Sequence, residues 1–161
     1  MGLQVDRLGA GSMSDLTIST VPPNLIDVMW SKLRPHLELV IDRAPDEVSL
    51  ETVKAKLKKG DAMIITISDG ETVVAVNTLE VQIFETGHKV LFIPMTGGER
   101  MEEWLDRFLD MAHAVARDLK CHELRGMACR KGWLRTLKPH DWYELHAVIG
   151  CKVKPAGEAS Q

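Results

Sequence analysis

Apolar and polar positions along the chain follow the two periods that distinguish strands from helices. Six segments are typical of strands, because they alternate apolar and polar residues or run apolar over a short length. These are residues 16–20, 62–68, 72–84, 89–94, 123–129 and 144–153. Asp69-Gly70 and Thr86-Gly87-His88 separate the second, third and fourth of them, and both are turn sequences. These three strands are therefore predicted to form an antiparallel meander.

Five segments place apolar residues three and four positions apart, as amphipathic helices do. They cover residues 25–34, 36–41, 50–59, 99–119 and 132–137. Ser49 can cap the third of these helices and Gly60 can end it, whereas Pro35 is expected to break or kink the first. The fourth is the longest, with an apolar stripe that includes Trp104 and Phe108.

The order of these elements predicts an α/β (α+β) fold. A meander followed by a strand, a long helix and another strand implies a mixed sheet, because the helix lets its flanking strands run parallel. We expect a central sheet of about six strands flanked by helices, in a single domain over residues 13–153. Residues 1–12 are interpreted as an expression tag or disordered arm, and residues 154–161 as a disordered tail.

Composition narrows the class of protein. The chain has 161 residues, a net charge of −3 and three cysteines. The small charge makes nucleic acid an unlikely partner, and the apolar runs are too short for a membrane span. Three cysteines without close pairing favour a reducing compartment, so a cytoplasmic location is expected. Cys121, His122 and Cys129 lack the spacing of a zinc site, and no metal is expected.

The strongest sequence feature is residues 91–95, followed by Thr96-Gly97-Gly98-Glu99-Arg100 and the long helix. With the element order, this feature resembles the GNAT (N-acetyltransferase-like) superfamily over residues 15–153. The resemblance implies acetyl-CoA as cosubstrate, with its pyrophosphate at the glycine loop and helix N-terminus, where free amides attract an anion. The implied binding residues are Ile93, Met95, Thr96, Gly97, Gly98, Arg100, Met101, Arg130 and Arg135.

The late segment Arg130–Leu137, followed by Asp141-Trp142, resembles in particular the GNAT-like proteins of tailed bacteriophages, some of which are virion-associated. Two departures from the family pattern stand out. The loop usually reads Gln or Arg, two residues, Gly, one residue, then Gly or Ala. Here Met95 or Pro94 takes the first place, and Glu99 or Arg100 replaces the second small residue. The tyrosine that protonates the leaving thiolate is replaced at about Leu137 or Lys138.

An acetyl transfer needs a base for the amine and an acid for the thiolate. Glu80 and Glu85 are candidate bases and Tyr143 is a candidate acid; the alternatives are surface carboxylates and a packed tyrosine. Late basic and aromatic residues could instead meet the CoA 3′-phosphate, nucleic acid or an acidic protein. They are Arg125, Arg130, Lys131, Arg135, Lys138, Trp133 and Trp142.

Two functions follow as expectations. In the first, the chain binds acetyl-CoA and acetylates a small-molecule or protein amine. In the second, it is an inactive GNAT-fold protein that serves as a structural or interaction component, with a protein partner or a second copy, as in a phage virion. A nucleic-acid-associated module is a weaker third hypothesis.

Overall fold

The computed structural model describes residues 15–127 and 132–157. The chain divides into two compact units at residue 128. The first unit holds a sheet and three helices, and the second holds one short helix. The predicted arm at residues 1–12 and the end of the predicted tail, residues 158–161, lie outside the described residues. The domain boundaries at residues 13 and 153 stay a prediction.

A five-stranded mixed sheet forms the centre of the first unit, with its strands in sequence order. The strands are β1 (Thr17–Thr20), β2 (Met63–Asp69), β3 (Thr72–Ile83), β4 (Lys89–Gly98) and β5 (Glu123–Gly126). The pairs β1–β2, β2–β3 and β3–β4 are antiparallel, and β4–β5 is parallel. The predicted meander, the mixed sheet and the α+β class are therefore confirmed.

The described residues hold four α-helices, three in the first unit and α4 in the second: α1 (Ile26–Ile41), α2 (Leu50–Lys59), α3 (Met101–Asp118) and α4 (Gly132–Leu137). Local chemistry fixes the ends of α2 as predicted. The Ser49 hydroxyl accepts a hydrogen bond from the Thr52 amide at 3.2 Å. Gly60 ends the helix in the left-handed region at φ 81°, where glycine has no side-chain penalty.

Pro35 was predicted to break or kink the first helix, and the break is wrong, because α1 runs through Pro35 without interruption. Proline removes one amide and crowds the preceding turn, at a cost of ~3 kcal/mol in a helix interior. Leu33 and Leu37, on either side of it, are completely buried. Each buried leucine contributes roughly 1.5–3 kcal/mol, so packing against the sheet holds the helix together.

Helices cover both faces of the sheet. α1 and α2 form one core with alternate strand residues, among them Ile64, Val76 and Met95. The intervening strand residues, such as Ile65 and Leu91, are fully buried as well. α3 contacts β4 and β5 and buries an apolar stripe of eight residues. Because both faces are covered, the central strands are nearly continuous apolar runs.

Strand β4 is longer than predicted. The expected loop from Met95 continues the strand, and Gly97 and Gly98 pair with Val76 and Ala75 of β3. A Cβ atom on Gly97 would lie 2.4 Å from the backbone oxygen of His36 in α1. Gly98 has φ 135°, and a Cβ there would lie 2.4 Å from the Ala75 Cα atom. Both glycines are thus required by the packing of the fold.

The predicted sixth strand is absent from the second unit. Residues 144–153 contain no strand, and Val148 and Ile149 are about nine-tenths exposed. A strand needs a neighbour to accept and donate its ladder hydrogen bonds. Within residues 132–157 there is no strand to provide one. The described residues therefore hold five strands where about six were expected.

Candidate functional site

Strand β5 pairs with only the first half of β4. Their parallel pairing ends at Ile93, opposite Gly126. At the same point the β3–β4 register shifts by one residue, from Glu80 opposite Phe92 to Thr78 opposite Met95. The bulge leaves one extra residue in β4 beside Pro94, which has no amide to donate. Beyond Ile93, no strand of the described residues pairs with β4 on the side of β5.

The turn from β4 into α3 is held by its own hydrogen bonds. The Glu99 amide donates to the Val74 oxygen at 2.9 Å. The Trp104 indole N–H donates to the Glu99 oxygen at 2.8 Å, and its ring is almost fully buried. These two bonds fix the backbone of residue 99 between the sheet and the helix.

Arg100 is the N-cap residue that precedes α3, and it adopts the left-handed conformation at φ 60°. The first amides of a helix have no acceptor within it, and no side chain caps them here. Glu102 and Glu103 lie in the first turn. Such a helix start attracts an anion through its amides and its dipole, whereas the two carboxylates repel one.

Arg100 is engaged by two carboxylates. Its Nε and Nη2 atoms donate to Glu103 at 2.5 and 3.0 Å, and its Nη1 atom donates to Asp69 at 2.8 Å. These hydrogen bonds, to Glu103 first and then to Asp69, raise the pKa of Arg100 above its ordinary value. The same contact lowers the pKa of Glu103. The sequence predicted Arg100 as an anion ligand and did not predict this pairing.

The other implied CoA-binding residues fall into two groups. Met95 is buried against α1 and α2, and the Thr96 hydroxyl donates to the Asn77 side-chain oxygen at 2.8 Å. Their side chains are used inside the fold, so only their backbone is left for a ligand. Arg135 lies in α4 of the second unit. Arg130 lies outside the described residues.

The two candidate bases differ in their surroundings. Glu80 lies on β3 beside the bulge, and its carboxylate accepts from Lys56 of α2 at 3.0 Å. Glu80, Phe92 and Arg125 are register partners across three strands, which places them on one face. Glu85 is exposed in the β3–β4 turn. The five steps from Lys89 to Pro94, at about 3.4 Å each, put that turn about 17 Å from the bulge.

Tyr143, the candidate acid, belongs to the second unit and is 68% exposed. The roles of Glu80, Glu85 and Tyr143 stay predictions.

Among residues 15–127 and 132–157, no three His, Cys, Asp or Glu side chains are grouped as metal ligands would be. Over the same residues, no helix combines the length and apolar character of a membrane span.

A polar cluster at the start of β4 and β5 was missed by sequence reasoning. Glu123 binds Arg125 and also His88, whose Nε2 atom lies 3.2 Å from the carboxylate. The Arg125 guanidinium lies 4.9 Å from the centre of the Phe84 ring. The rings of His88 and His122 stack with their centres 5.0 Å apart. The β4–β5 register creates these contacts, and no local motif signals them.

The fold of this chain recurs in solved structures. No family model and no curated protein matches the chain. A probable acetyltransferase matches with a TM-score of 0.61 and 12% identity, over 88% of this chain and 99% of its own. A predicted acetyltransferase from Clostridium acetobutylicum, solved with acetyl-CoA, gives 0.62 and 13%, over 85% and 96%. The chain has the GNAT fold.

A further GNAT-fold match is an aminoglycoside acetyltransferase from an uncultured soil metagenomic sample, in complex with sisomicin. Its TM-score is 0.62 at 12% identity, and the match covers 86% of this chain and 97% of that one. At such identities the likeness establishes the fold and leaves substrate and activity to be argued from the site.

Proposed function

We propose that the chain is an N-acetyltransferase that takes an acetyl group from acetyl-CoA and passes it to an amine. The edge of β4 beyond Ile93, which no strand of the described residues pairs on the side of β5, carries this proposal. An unpaired strand edge offers amide and carbonyl groups in a row, which an extended amide-containing chain can match. The pantetheine arm of CoA is such a chain. The presence of acetyl-CoA in one structural neighbour supports this choice of ligand.

In this reaction the amine nitrogen attacks the thioester carbonyl carbon. A C–N bond forms, the C–S bond breaks, the amine loses a proton and the leaving thiolate gains one. Glu80 is the better candidate to accept the amine proton, because it lies beside the bulge where β4 leaves β5. Lys56 holds its carboxylate by an ion pair at 3.0 Å. Tyr143 is retained as the proposed acid.

Acetyl-CoA binding is the direct test. Titration calorimetry should show saturable heat, and the melting temperature should rise with ligand. At a concentration 100 times Kd, the stabilisation is about 2.7 kcal/mol, or roughly 5–10 °C for a chain of this size. ATP at matched ionic strength is the control for nonspecific anion binding. Absence of both heat and a melting shift at millimolar acetyl-CoA would refute the proposal.

The base can be tested by paired variants. Glu80→Gln should reduce kcat by roughly 10²–10⁴-fold with little change in acetyl-CoA affinity, since a general base contributes about that much. Glu85→Gln removes the same charge from the exposed turn and should leave kcat unchanged. Thiol release from acetyl-CoA with a panel of primary amines measures both. Equal effects of the two variants would remove Glu80 from the mechanism.

One observation favours a second candidate function, a GNAT-fold interaction protein without catalysis. The helix start that would meet the pyrophosphate has Glu99, Glu102 and Glu103 against Arg100, which is already paired. This candidate includes the virion-associated role that the phage-like late segment suggests. It predicts self-association or a protein partner together with no acetyl-CoA binding. A protein that is monomeric in sedimentation and binds acetyl-CoA would contradict it.

For the location, we retain the cytoplasm. Cys121 and Cys151 are free thiols, and free thiols persist in a reducing compartment. The acceptor is proposed to be a small-molecule amine, by analogy with the aminoglycoside acetyltransferase that shares the fold. A protein amine is the alternative acceptor.

A further inference from the structure

We propose that Glu103 sets the affinity of the acetyl-CoA site by competing with the ligand's diphosphate for Arg100. This inference rests on the proposed function, because it concerns the same site. It assigns Glu103 a role as an affinity-determining residue.

The pairing of Arg100 with Glu103 has the geometry that a phosphate would require. Two parallel N–H groups of one guanidinium edge meet the two oxygens of the Glu103 carboxylate, at 2.5 and 3.0 Å. Arginine binds phosphate oxygens in the same two-point manner. Glu103 therefore occupies the edge of Arg100 that a diphosphate would use.

The ion pair is placed where exchange is easy. The Arg100 and Glu103 side chains are 35% and 31% exposed, so separating them leaves both charges in contact with water. Exposed ion pairs are worth about 0–1 kcal/mol. The Glu103 amide donates to the Arg100 oxygen at 3.0 Å. A diphosphate that also reaches the amides of Met101 and Glu102, which precede the first intrahelical acceptors, gains contacts that the Glu103 carboxylate does not provide. The ligand should therefore displace Glu103 at a modest cost in affinity.

Asp69 is the second partner of Arg100 and acts differently. It accepts a single bond from Nη1, at 2.8 Å, from the end of β2. This bond leaves the Nε and Nη2 edge free once Glu103 withdraws. Asp69 can therefore keep the guanidinium beside the helix start while its other edge changes partner.

Matched alanine variants separate competition from simple charge. Glu103→Ala removes the competitor, whereas Glu102→Ala removes an equal charge from the same helix turn, and no hydrogen bond joins Glu102 to Arg100. By calorimetry at fixed salt, Glu103→Ala should tighten acetyl-CoA binding by about tenfold. Glu102→Ala should tighten it by no more than about threefold, since an exposed charge acts through screened repulsion. Affinity for S-acetyl-pantetheine, which lacks the diphosphate, should not change in either variant.

A double-mutant cycle identifies the partner. In an Arg100→Gln background, adding Glu103→Ala should give no more tightening than Glu102→Ala, because the competed group is gone. Melting temperatures check that each variant is folded. If Glu103→Ala lowers stability, Glu103→Gln keeps the side-chain size while removing the charge.

The outcomes are distinct. Tightening by Glu103→Ala that depends on Arg100 supports the inference. Equal effects of the two alanine variants, or weaker binding in Glu103→Ala and Glu103→Gln, would overturn it while leaving the proposed function intact. If neither the wild-type protein nor any variant binds acetyl-CoA, both the inference and the proposed function fail.

Discussion

Replacing Gly97 by alanine should destabilise the fold, because the added methyl group has no room. Its position lies 2.4 Å from the His36 backbone oxygen and 2.8 Å from the Val40 Cγ2 atom. Non-bonded carbon atoms prefer about 3.5–4.0 Å. The nearer neighbour is backbone within α1, so the helix must move away from β4 or the strand must bend.

The expected loss is about 1–3 kcal/mol, the range for inserting a methyl group into a packed interior. The upper part of this range is favoured, because the helix turn at His36 is held by the buried Leu33 and Leu37. For a chain of this length, 1 kcal/mol corresponds to a change in melting temperature of about 2–4 °C. Gly97→Ala should therefore melt roughly 3–10 °C below the wild-type protein.

Urea unfolding followed by far-UV circular dichroism measures this loss. Gly132→Ala is the control, because a Cβ there meets no atom within 4 Å. Gly132 is the first residue of α4, and the control should be neutral or slightly stabilising, as alanine favours helix over glycine. If Gly97→Ala and Gly132→Ala had equal unfolding midpoints and slopes, the close approach of α1 to β4 would be refuted.

The same variant separates two explanations of the Gly97-Gly98 sequence. A glycine that serves only as a phosphate cradle would lose ligand affinity on substitution and keep the stability of the free protein. A glycine required for packing loses stability without any ligand. The contact with His36 predicts the second result.

Three further predictions follow from single contacts. Pro35→Ala should raise the unfolding free energy by about 1–2 kcal/mol in urea titration, because it restores a helix amide inside α1; an unchanged or lower value would contradict the strain assigned to Pro35. Trp104→Phe should cost about 1–3 kcal/mol by the same method, since the buried indole donates to a backbone oxygen. A loss below ~0.5 kcal/mol, the size typical of surface substitutions, would contradict the importance of this hydrogen bond. Burial raises the pKa of the Glu123 carboxyl, but bonds from Arg125 and His88 outweigh it and the net pKa lies below its ordinary value. The stability that Glu123 contributes is therefore present above the unfolded pKa of about 4.3 and is lost as the pH falls through the lower folded pKa. Glu123→Gln should be less stable than the wild-type protein at pH 7, and the difference in unfolding free energy should shrink in acid. A difference that does not change with pH would contradict this prediction.

Sequence pattern predicted the parts of the fold that depend on local chemistry. The Ser49 cap, the Gly60 stop and the two tight turns act over a few residues, and each is where the pattern placed it. The long helix α3 was predicted from its stripe, because a three-and-four repeat over many residues has few other interpretations.

The features that the sequence could not predict depend on contacts between distant segments. The true end of β4 is set by pairing with Val76 and Ala75. The continuity of α1 through Pro35 is set by burial of its neighbours against the sheet. The ion pair of Arg100 with Asp69 joins α3 to the end of β2. The local signals misled in two of these cases, because the glycine pair suggested a loop and Pro35 a helix break, and in the third no sequence pattern indicated the carboxylate partner of Arg100.

The divergence of the loop sequence bears differently on the two halves of acetyl-CoA. In the proposed function, the strand edge beyond Ile93 holds the pantetheine arm through backbone groups, which any sequence that keeps the bulge provides. This explains how a fold can persist at 12–13% identity while its sequence signature changes. The diphosphate half depends on charge, and here Glu99, Glu102 and Glu103 oppose it. The changed loop sequence therefore counts against tight diphosphate binding and does not alter the proposed backbone contact with pantetheine. The ratio of the affinity for acetyl-CoA to the affinity for S-acetyl-pantetheine should accordingly be smaller in this protein than in a GNAT-fold enzyme whose loop lacks acidic residues.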